Sequence, residues 1–409
     1  MRIGEFAEKH GVTIDTVRHY MDEQLLMPEK SGGQYEFGDA CCKDLEEILW
    51  LKKAGFTLAE IKKALSIERL GKLSSSYDRQ CYIKLLQGKK GDLAEEIVER
   101  EESIKKIEGR MAEFKTDMGT GSNKIGVPLE FASLLACPQC GKSMVINGAI
   151  INSMIIDGQI TCRCGFALSI VNGIITNAPE EVKSKAYYFS DADSYEEYIA
   201  KTSIKFINYV HRSVEWIIAK LRLDLVKQPT ILELGTGWGS LLKHAYGMFT
   251  EDVLYIATDN DIEALTLTKW ILEKEASRTK FVFIHGNIED IPLKKETVDL
   301  VLDFWGTSCH NFKKPGYLIN YIKDRLKPGG RWLAGHLYFK EDSSSLKRLA
   351  KECRLYLYLD NIIGSYQNNG FTLLDSKDMG YIDEGGEYEP FLVKGDKAFE
   401  WVYYGIKYK

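Results

Sequence analysis

The sequence predicts a multidomain chain. An α-helical winged helix-turn-helix, a coiled-coil helix, a small β ribbon and a doubly wound (Rossmann-like) α/β domain follow one another. Three observations predict this. Thr230 to Leu241 runs from the apolar residues Ile231, Leu232 and Leu234 into glycines at 235, 237 and 239, as a buried parallel strand runs into a tight loop that opens a helix. Apolar residues recur at alternating three- and four-residue steps between Leu93 and Met118, the period of a coiled-coil seam. Between those stretches lie two close cysteine pairs, Cys137/Cys140 and Cys162/Cys164. The boundaries expected are 1–72, 73–120, 121–180 and 181–409.

At 409 residues the chain is too long for one core. Nothing near its start resembles a signal peptide, and no apolar run approaches the ~20 residues of a membrane span. A soluble, cytoplasmic protein with no membrane partner is therefore expected. Nine cysteines in such a chain argue against disulfides, so a close cluster of them is read first as a metal site. The net charge of −5 does not advertise nucleic-acid binding, so any such affinity has to come from a local patch.

Ile3 to His10 is a short helical pattern broken by Gly11, and Thr13 can cap a second helix with Ile14, Val17 and Met21 on one face. That leaves Thr16, Arg18 and His19 for a partner, as in a helix-turn-helix that presents a reader to the major groove. Ser31-Gly32-Gly33 with Tyr35 and Phe37 then reads as a hairpin wing, followed by a helical pair from Asp44 to Leu65 with Gly55-Phe56-Thr57 between. In Ile3-Gly4-Glu5-Phe6-Ala7, Gly11-Val12-Thr13, Thr16-Val17-Arg18-His19-Tyr20, Leu25-Leu26, Pro28 and Gly55 to Ile61, this unit resembles the DNA-binding domain of MerR-family bacterial transcription regulators. The resemblance implies double-stranded promoter DNA with a palindromic operator as partner. It gives Arg18 and Tyr20 to phosphates, Thr13, Asp15 and Thr16 to base edges, and His19 and Tyr35 to the same interface. The family's wing usually reads Gly-Tyr-Arg, but here Gly33-Gln34-Tyr35 lacks the arginine and Lys30 is the available replacement. The unit carries 11 Lys and Arg against 13 Asp and Glu, and a protein-binding winged helix is the alternative.

Leu93, Ile97, Ile104, Ile107, Met111, Phe114 and Met118 form nearly four heptads, with Arg100 the charged residue on the seam. MerR-like proteins pair such a helix antiparallel with its copy, which implies a homodimer through 76–119. An amphipathic helix packed on its own chain is the other reading. Thr116 to Val127 follows as a linker containing Gly, Ser and Thr.

The cysteine pairs are separated by 21 residues and bracket a strand-like insert. Four thiolates suit a tetrahedral zinc, which so small a lobe needs in place of a core. Leu129 to Ile175 resembles the small zinc-ribbon domains that bind or are fused to methyltransferases. The second pair is Cys-x-Cys, one residue shorter than usual, which strains ideal geometry.

Lys185 to Leu223 is rich in aromatics, among them Tyr187, Tyr188, Phe189, Tyr195, Tyr198, Phe206, Tyr209 and Trp216. They line an acceptor pocket or form the core of a helix from about Ser194 to Leu221. After the glycine loop, Val253 to Thr258 ends in Asp259, 24 positions beyond Gly235, where an acidic residue can hold ribose hydroxyls. Phe281 to Ile284 leads to Gly286-Asn287-Ile288, and Val298 to Leu302 to Asp303. Leu326-Lys327-Pro328-Gly329-Gly330 precedes a fifth run, Trp332 to Gly335. Together these resemble class I S-adenosylmethionine-dependent methyltransferases over roughly 200–409. The resemblance places the methionine end of S-adenosylmethionine at Glu233, Gly235 and Gly237, with Gly239 completing the loop. It places the ribose at Asp259 and the adenine at Asn287 and Ile288.

Methyl transfer needs positioning and exclusion of water, and no obligatory motif marks the base. The Asn-Pro-Pro-Tyr type of motif used for nucleic-acid amino groups is missing after the fourth run. Asp303 and His310 are the candidate catalytic residues, with Trp305, His336 and Tyr338 as further candidates for the acceptor. Met379 to Phe391, with Gly385-Gly386 and several acids, interrupts the terminal hairpin and either closes over an amine-bearing acceptor or is a solvated loop. The whole reads as a DNA-binding regulator of the MerR type whose C-terminal module binds S-adenosylmethionine and methylates a small-molecule acceptor. The alternative is a catalytically idle sensor for an effector.

Overall fold

The computed structural model describes residues 1–117, 124–185, 192–275 and 279–408. Half of the expected linker, the seam residue Met118 and the aromatics Tyr187, Tyr188 and Phe189 lie outside the described residues. The chain divides into two compact units, Met1–Asp117 and Met118–Lys409.

In the first unit, helix α1 (Ile3–Lys9) and helix α2 (Ile14–Asp22) are joined through Gly11, whose φ of +63° explains the glycine. Thr13 caps α2, its hydroxyl accepting from the Thr16 amide at 3.1 Å. The buried face of α2 is Val17 and Tyr20, and Ile14 is exposed, so the apolar face turns one step from the expected Ile14, Val17 and Met21. Strands β1 (Glu29–Ser31) and β2 (Gln34–Glu36) form the wing, reversing through Gly32 and Gly33 at φ +57° and +82°. Helix α3 (Asp39–Lys53) and helix α4 (Leu58–Gly71) follow, and a capping box between Thr57 and Glu60 starts the second. Phe6, Val17, Tyr20, Leu45, Ile48, Leu51 and Ile61 close one core. Helix α5 (Ser76–Asp117) is 42 residues long, roughly 63 Å at 1.5 Å per residue.

The second unit is built on one mixed sheet. The strands are β3 (Val127–Pro128), β4 (Val145–Ile151), β5 (Met154–Thr161), β6 (Ala167–Val171), β7 (Ile174–Thr176), β8 (Thr230–Leu234), β9 (Leu254–Asp259), β10 (Lys280–His285), β11 (Val298–Phe304), β12 (Leu326–Tyr338), β13 (Phe371–Ile382) and β14 (Ala398–Lys407). Their order across the sheet is β13-β14-β12-β11-β8-β9-β10-β7-β6-β5-β3, with β4 on β5. Strands β12, β11, β8, β9, β10 and β7 are parallel neighbours, and β14 inserts antiparallel between β12 and β13. The order runs outward from β8 in both directions, so β8 and β11 flank a topological switch point, where open α/β sheets leave a crevice beyond the strand C-termini.

The cysteine-bearing lobe, expected as a domain of its own over 121–180, continues this sheet. Strand β7 pairs parallel with β10 in the register Phe283↔Ile174, and β6, β5 and β4 extend the edge antiparallel. Val127, Phe131, Leu135 and Ile155 share one buried cluster with Leu232, Ile256, Val282 and Ile284. Each such fully buried aliphatic side chain contributes roughly 1.5–3 kcal/mol, so the lobe and the α/β domain stabilise one another.

Before β8 come helices α6 (Pro179–Lys185), α7 (Ala192–Lys201) and α8 (Ile204–Ile218). The single helix expected from Ser194 to Leu221 is broken where Ser203 caps α8, its hydroxyl accepting from the Lys205 amide at 3.3 Å. Phe206 and Tyr209 are buried in a cluster with Phe339, Leu346 and Leu357, and Tyr209 donates its hydroxyl to the Gly380 carbonyl at 2.9 Å. Helices α9 (Ser240–Ala245), α10 (Ile262–Leu272) and α11 (Gly306–Asn311) follow β8, β9 and β11. The segment after Met379 is held against α7 and α8, through Glu387 to the Lys201 carbonyl at 3.3 Å and Lys205 to Glu384 at 3.3 Å.

Candidate functional site

A cavity of about 260 Å³ opens beyond the C-terminal ends of β8, β9, β10 and β11. Its floor is the glycine loop. Gly235 has φ +71°, and a Cβ there would stand 2.9 Å from the Gly306 Cα; one at Gly306 would stand 2.1 Å from the Leu234 carbonyl oxygen. The loop after β8 and the start of α11 thus cross backbone to backbone, and only glycine at both positions permits it. Gly237, at φ +52°, faces open space, where a side chain would intrude.

Of the residues expected at a cofactor, Gly235, Gly237, Asp259, Asn287 and Ile288 line this one cavity, together with Asn260, Asp261 and Glu289. Asp259 ends β9, and its carboxylate accepts from the Gly237 amide at 2.6 Å and the Asp261 amide at 2.8 Å. Burial raises its pKa, and those amide hydrogen bonds oppose the rise. Glu233 and Gly239 do not line the cavity. Glu233 is 2% exposed beside Thr236 and Tyr255, one carboxylate oxygen has no partner, and burial lifts its pKa to about 7. A Cβ on Gly239 would meet the Thr268 side chain at 2.8 Å, so that glycine serves the packing of the loop against α10.

The far wall comes from Phe304, Trp305, Gly306, Cys309, His310 and Lys313. The loop expected after the fourth strand is therefore the helix α11, and Asp303 is what starts it. The Asp303 carboxylate accepts from the Thr307 amide at 2.8 Å and the Thr307 hydroxyl at 2.5 Å. It is fully buried, with a pKa raised to about 6 by desolvation, and does not reach the cavity. His310 does, with Nε2 buried and unpartnered and its pKa lowered by burial. His336 and Tyr338 are spent elsewhere: His336 Nε2 lies 2.7 Å from the Tyr366 hydroxyl, and Tyr338 donates to Asp378 at 2.8 Å.

Trp305 is the wall residue that the sequence did not single out for its backbone. It adopts φ +63°, uncommon for a bulky side chain, stacks on Phe304 at 5.0 Å and meets the edge of Phe206 at 5.8 Å. Its indole Nε1 donates to Glu400, a carboxylate on β14, two strands away across β12. No sequence spacing links Trp305 to Glu400; only the insertion of β14 beside β12 joins them.

The four cysteines meet. Cys137 and Cys164 Sγ are 3.5 Å apart, as are Cys140 and Cys162 Sγ, and all four lie within 4.8 Å of one another. Four thiolates at about 2.3 Å from a zinc would be roughly 3.8 Å apart, so the cluster can hold a metal ion. Each pair rides a tight turn closed by a glycine of positive φ, Gly141 at +73° and Gly165 at +96°, which is how the shorter Cys-x-Cys still presents both thiols. The lobe is also tied to the segment after Asn287 and Ile288. The Ala136 amide donates to the Pro292 carbonyl at 3.1 Å, and the Lys294 amide to the Leu134 carbonyl at 2.8 Å.

In the first unit Thr13, Asp15, Arg18 and His19 are exposed along α2, and Arg18 is paired to Asp15 at 3.2 Å. Thr16 is half-buried, its hydroxyl 2.8 Å from that of Thr13. Tyr20, expected at a phosphate, has its ring 1% exposed in the core, and Lys52 donates to its hydroxyl at 3.5 Å. Tyr35 is exposed on the wing directly across from Lys30, whose ammonium lies 5.7 Å from the ring centroid.

Comparison with known proteins agrees with this division. Residues 1–67 match the MerR HTH family regulatory protein model, and residues 231–330 match a methyltransferase domain model. The HTH-type transcriptional activator mta of Bacillus subtilis is 29% identical over 126 residues, which cover 29% of this chain and 46% of that protein. The HTH-type transcriptional regulator HmrR of Rhizobium leguminosarum is 31% identical over 70 residues, covering 16% of this chain and 53% of that protein. The chain thus spans about half the length of these two relatives. Among solved structures, phosphoethanolamine N-methyltransferase 2 of Haemonchus contortus with S-adenosyl-L-methionine is 17% identical, with a TM-score of 0.37, over 48% of this chain and 56% of that one. The [4+2]-cyclase SpnF is 14% identical, with a TM-score of 0.36, over 48% and 80%. The chain carries a MerR-like helix-turn-helix at its N-terminus and a Rossmann-type, S-adenosylmethionine methyltransferase-like domain in its C-terminal half, with a cysteine cluster able to chelate a metal.

Proposed function

We propose that the protein is a DNA-binding transcription regulator of the MerR type whose C-terminal module binds S-adenosylmethionine and methylates a small-molecule acceptor. The observation that carries this reading is the convergence of Gly235, Gly237, Asp259, Asn287 and Ile288 on one cavity at the switch point of the sheet. Gly235 and Gly237 would hold the methionine end, Asp259 the ribose, and Asn287 and Ile288 the adenine, the Asn287 oxygen accepting from the adenine amino group. The cofactor, when bound, supplies a methyl group on a sulfonium. Phe304 and Trp305 exclude water from that end. His310, kept neutral by burial, lines the cavity and is the candidate to take a proton from an acceptor. Asp303 is a positioning residue for α11. The four cysteines hold a structural zinc, α2 and the wing meet promoter DNA, and α5 pairs with a second copy over a palindromic operator.

A sensor that binds the cofactor or another effector without turnover is the second reading, and the withdrawal of Asp303 from the cavity favours it. Calorimetry on ligand-free protein tests the part both share. S-adenosylmethionine should saturate one site per chain, and Asp259→Ala should weaken it by roughly 1–3 kcal/mol through lost charge-assisted hydrogen bonds. Absence of binding at millimolar cofactor overturns the methyltransferase reading. Transfer of a labelled methyl group to any molecule of a cell extract then separates enzyme from sensor.

A further inference from the structure

We propose a second metal site, for a borderline transition metal such as nickel or zinc, formed by His211, Glu215 and His244 on the outer face of the C-terminal unit. His211 and Glu215 stand one turn apart on α8, so their side chains share a face. His244 comes from α9, and its ring centroid lies 5.7 Å from that of His211. One ligand atom from each of the three residues falls within 4.8 Å of the others. Two of the chain's seven histidines meet here, so a histidine-crowded surface does not explain the cluster.

The second observation is the state in which His244 is held. Its Nδ1 lies 2.7 Å from the Ser240 carbonyl oxygen. A carbonyl only accepts, so Nδ1 carries the proton, and in the neutral ring the lone pair is on Nε2. Metal-bound imidazoles are oriented in this way, with the other ring nitrogen donating to a carbonyl or carboxylate. Among the described residues, no hydrogen bond or ion pair engages the His211 ring or the Glu215 carboxylate. All three residues are exposed, so an ion can enter and keep water on its open positions. Two imidazoles and one carboxylate suit zinc, nickel, cobalt or copper, whereas magnesium and calcium prefer oxygen ligands throughout. The cysteine cluster is the softer site, so the two sites can be filled independently.

The site joins two helices that both lead to the cavity. Helix α9 opens immediately after the glycine loop, and α8 carries Phe206, which packs on Trp305. A bound ion would clamp them together.

The test uses the full chain, free of any histidine tag and with its cysteine site loaded with zinc. Titration with Ni²⁺ alone in a non-chelating buffer should show one binding event per chain. His211→Ala and His244→Ala should each weaken it at least about tenfold, Glu215→Gln should weaken it less, and the His211→Ala/His244→Ala double variant should lose it. Ni²⁺ should raise the Tm of the wild type and leave that of the double variant unchanged, since a ligand stabilises only the fold that binds it. The zinc content of the cysteine site and the Tm without Ni²⁺ should match the wild type in every variant, which separates loss of ligands from misfolding. No Ni²⁺ binding by the wild type, or an isotherm that the double variant leaves unaltered, overturns the proposal.

Discussion

The indole Nε1 of Trp305 donates to Oε1 of Glu400 at 2.8 Å, so a cavity wall hangs on a carboxylate that is fully buried. Ser213 Oγ lies 2.5 Å from the other oxygen of Glu400 and 3.2 Å from the Tyr209 carbonyl. A serine hydroxyl has a single proton, and the carbonyl can only accept. If that proton goes to Tyr209, the short contact to Glu400 is satisfied by a proton on the carboxyl group, which then donates to Ser213. Burial raises the Glu400 pKa to about 7, partly offset by the hydrogen bonds with Ser213 and Trp305 and by Arg212.

This makes stability depend on pH with a definite sign. Between the ordinary 4.5 and about 7, the folded chain keeps a proton on Glu400 that the unfolded chain releases. Stability contributed by this group is therefore greatest below about pH 4.5, falls as pH rises to about 7, and is level above; the loss is on the order of 3 kcal/mol. Glu400→Gln preserves an acceptor for Trp305 and a donor for Ser213 but cannot ionise. Urea unfolding of both chains across pH 5 to 8 should show the variant gaining on the wild type as pH rises. Glu233 and Asp303, also raised, titrate in both chains and cancel in the difference. A stability difference that stays constant across that range refutes the assignment.

The glycine loop, Asp259 and Asn287-Ile288 were legible in the sequence because each sits at the end of an apolar run, where local spacing and strand order dictate position. Glu233 was not, because a strand residue's face depends on register, and this one turns toward Tyr255 and away from the cavity. The buried face of α2 was read one step out of phase, with Ile14 inside, while Val17 and Tyr20, the latter given to a phosphate by the resemblance, are the residues that pack. The union of the cysteine lobe with the sheet could not be read at all. It depends on β7 finding the free edge of β10 across roughly a hundred residues, a pairing that leaves no local mark.

That union changes what metal loss should do. The lobe shares the buried cluster of Leu232, Ile256 and Val282 and is tied through Ala136 and Lys294 to the segment that follows Ile288. Cys137→Ser, or removal of zinc by a chelator, should lower the Tm of the C-terminal unit as a whole and weaken S-adenosylmethionine binding at the same time. DNA binding, which draws on a separate core, should persist. Elemental analysis should find about one zinc per chain in the untreated protein. A chain stripped of metal, with unchanged Tm and cofactor affinity, contradicts both the zinc assignment and the shared core.

Along α5 the side chains of Leu93, Ile97, Ile104, Ile107, Met111 and Phe114 are all exposed, Ile107 at 61%. Arg100, on the same seam, is paired to Glu96 on its own helix at 2.7 Å. An apolar stripe of that length facing water favours burial against an equivalent stripe. If a second copy covers it, α5 sets the spacing of the two reader helices, and a ligand alters transcription only by favouring one geometry of that seam over another. Ile104→Asp with Ile107→Asp places two carboxylates on the seam without touching either core. The variant should sediment as a monomer and lose specific operator binding, yet bind S-adenosylmethionine as the wild type does. In the wild type, operator DNA and ligand should change each other's affinity by the same factor, typically equivalent to about 1–3 kcal/mol. Promoter output has to be measured beside occupancy, because a change of seam geometry can act on bound DNA without changing affinity. A variant that stays dimeric shows that the seam is not the interface. Ligand and operator that leave each other's affinity and promoter output unchanged show that the two halves are only tethered.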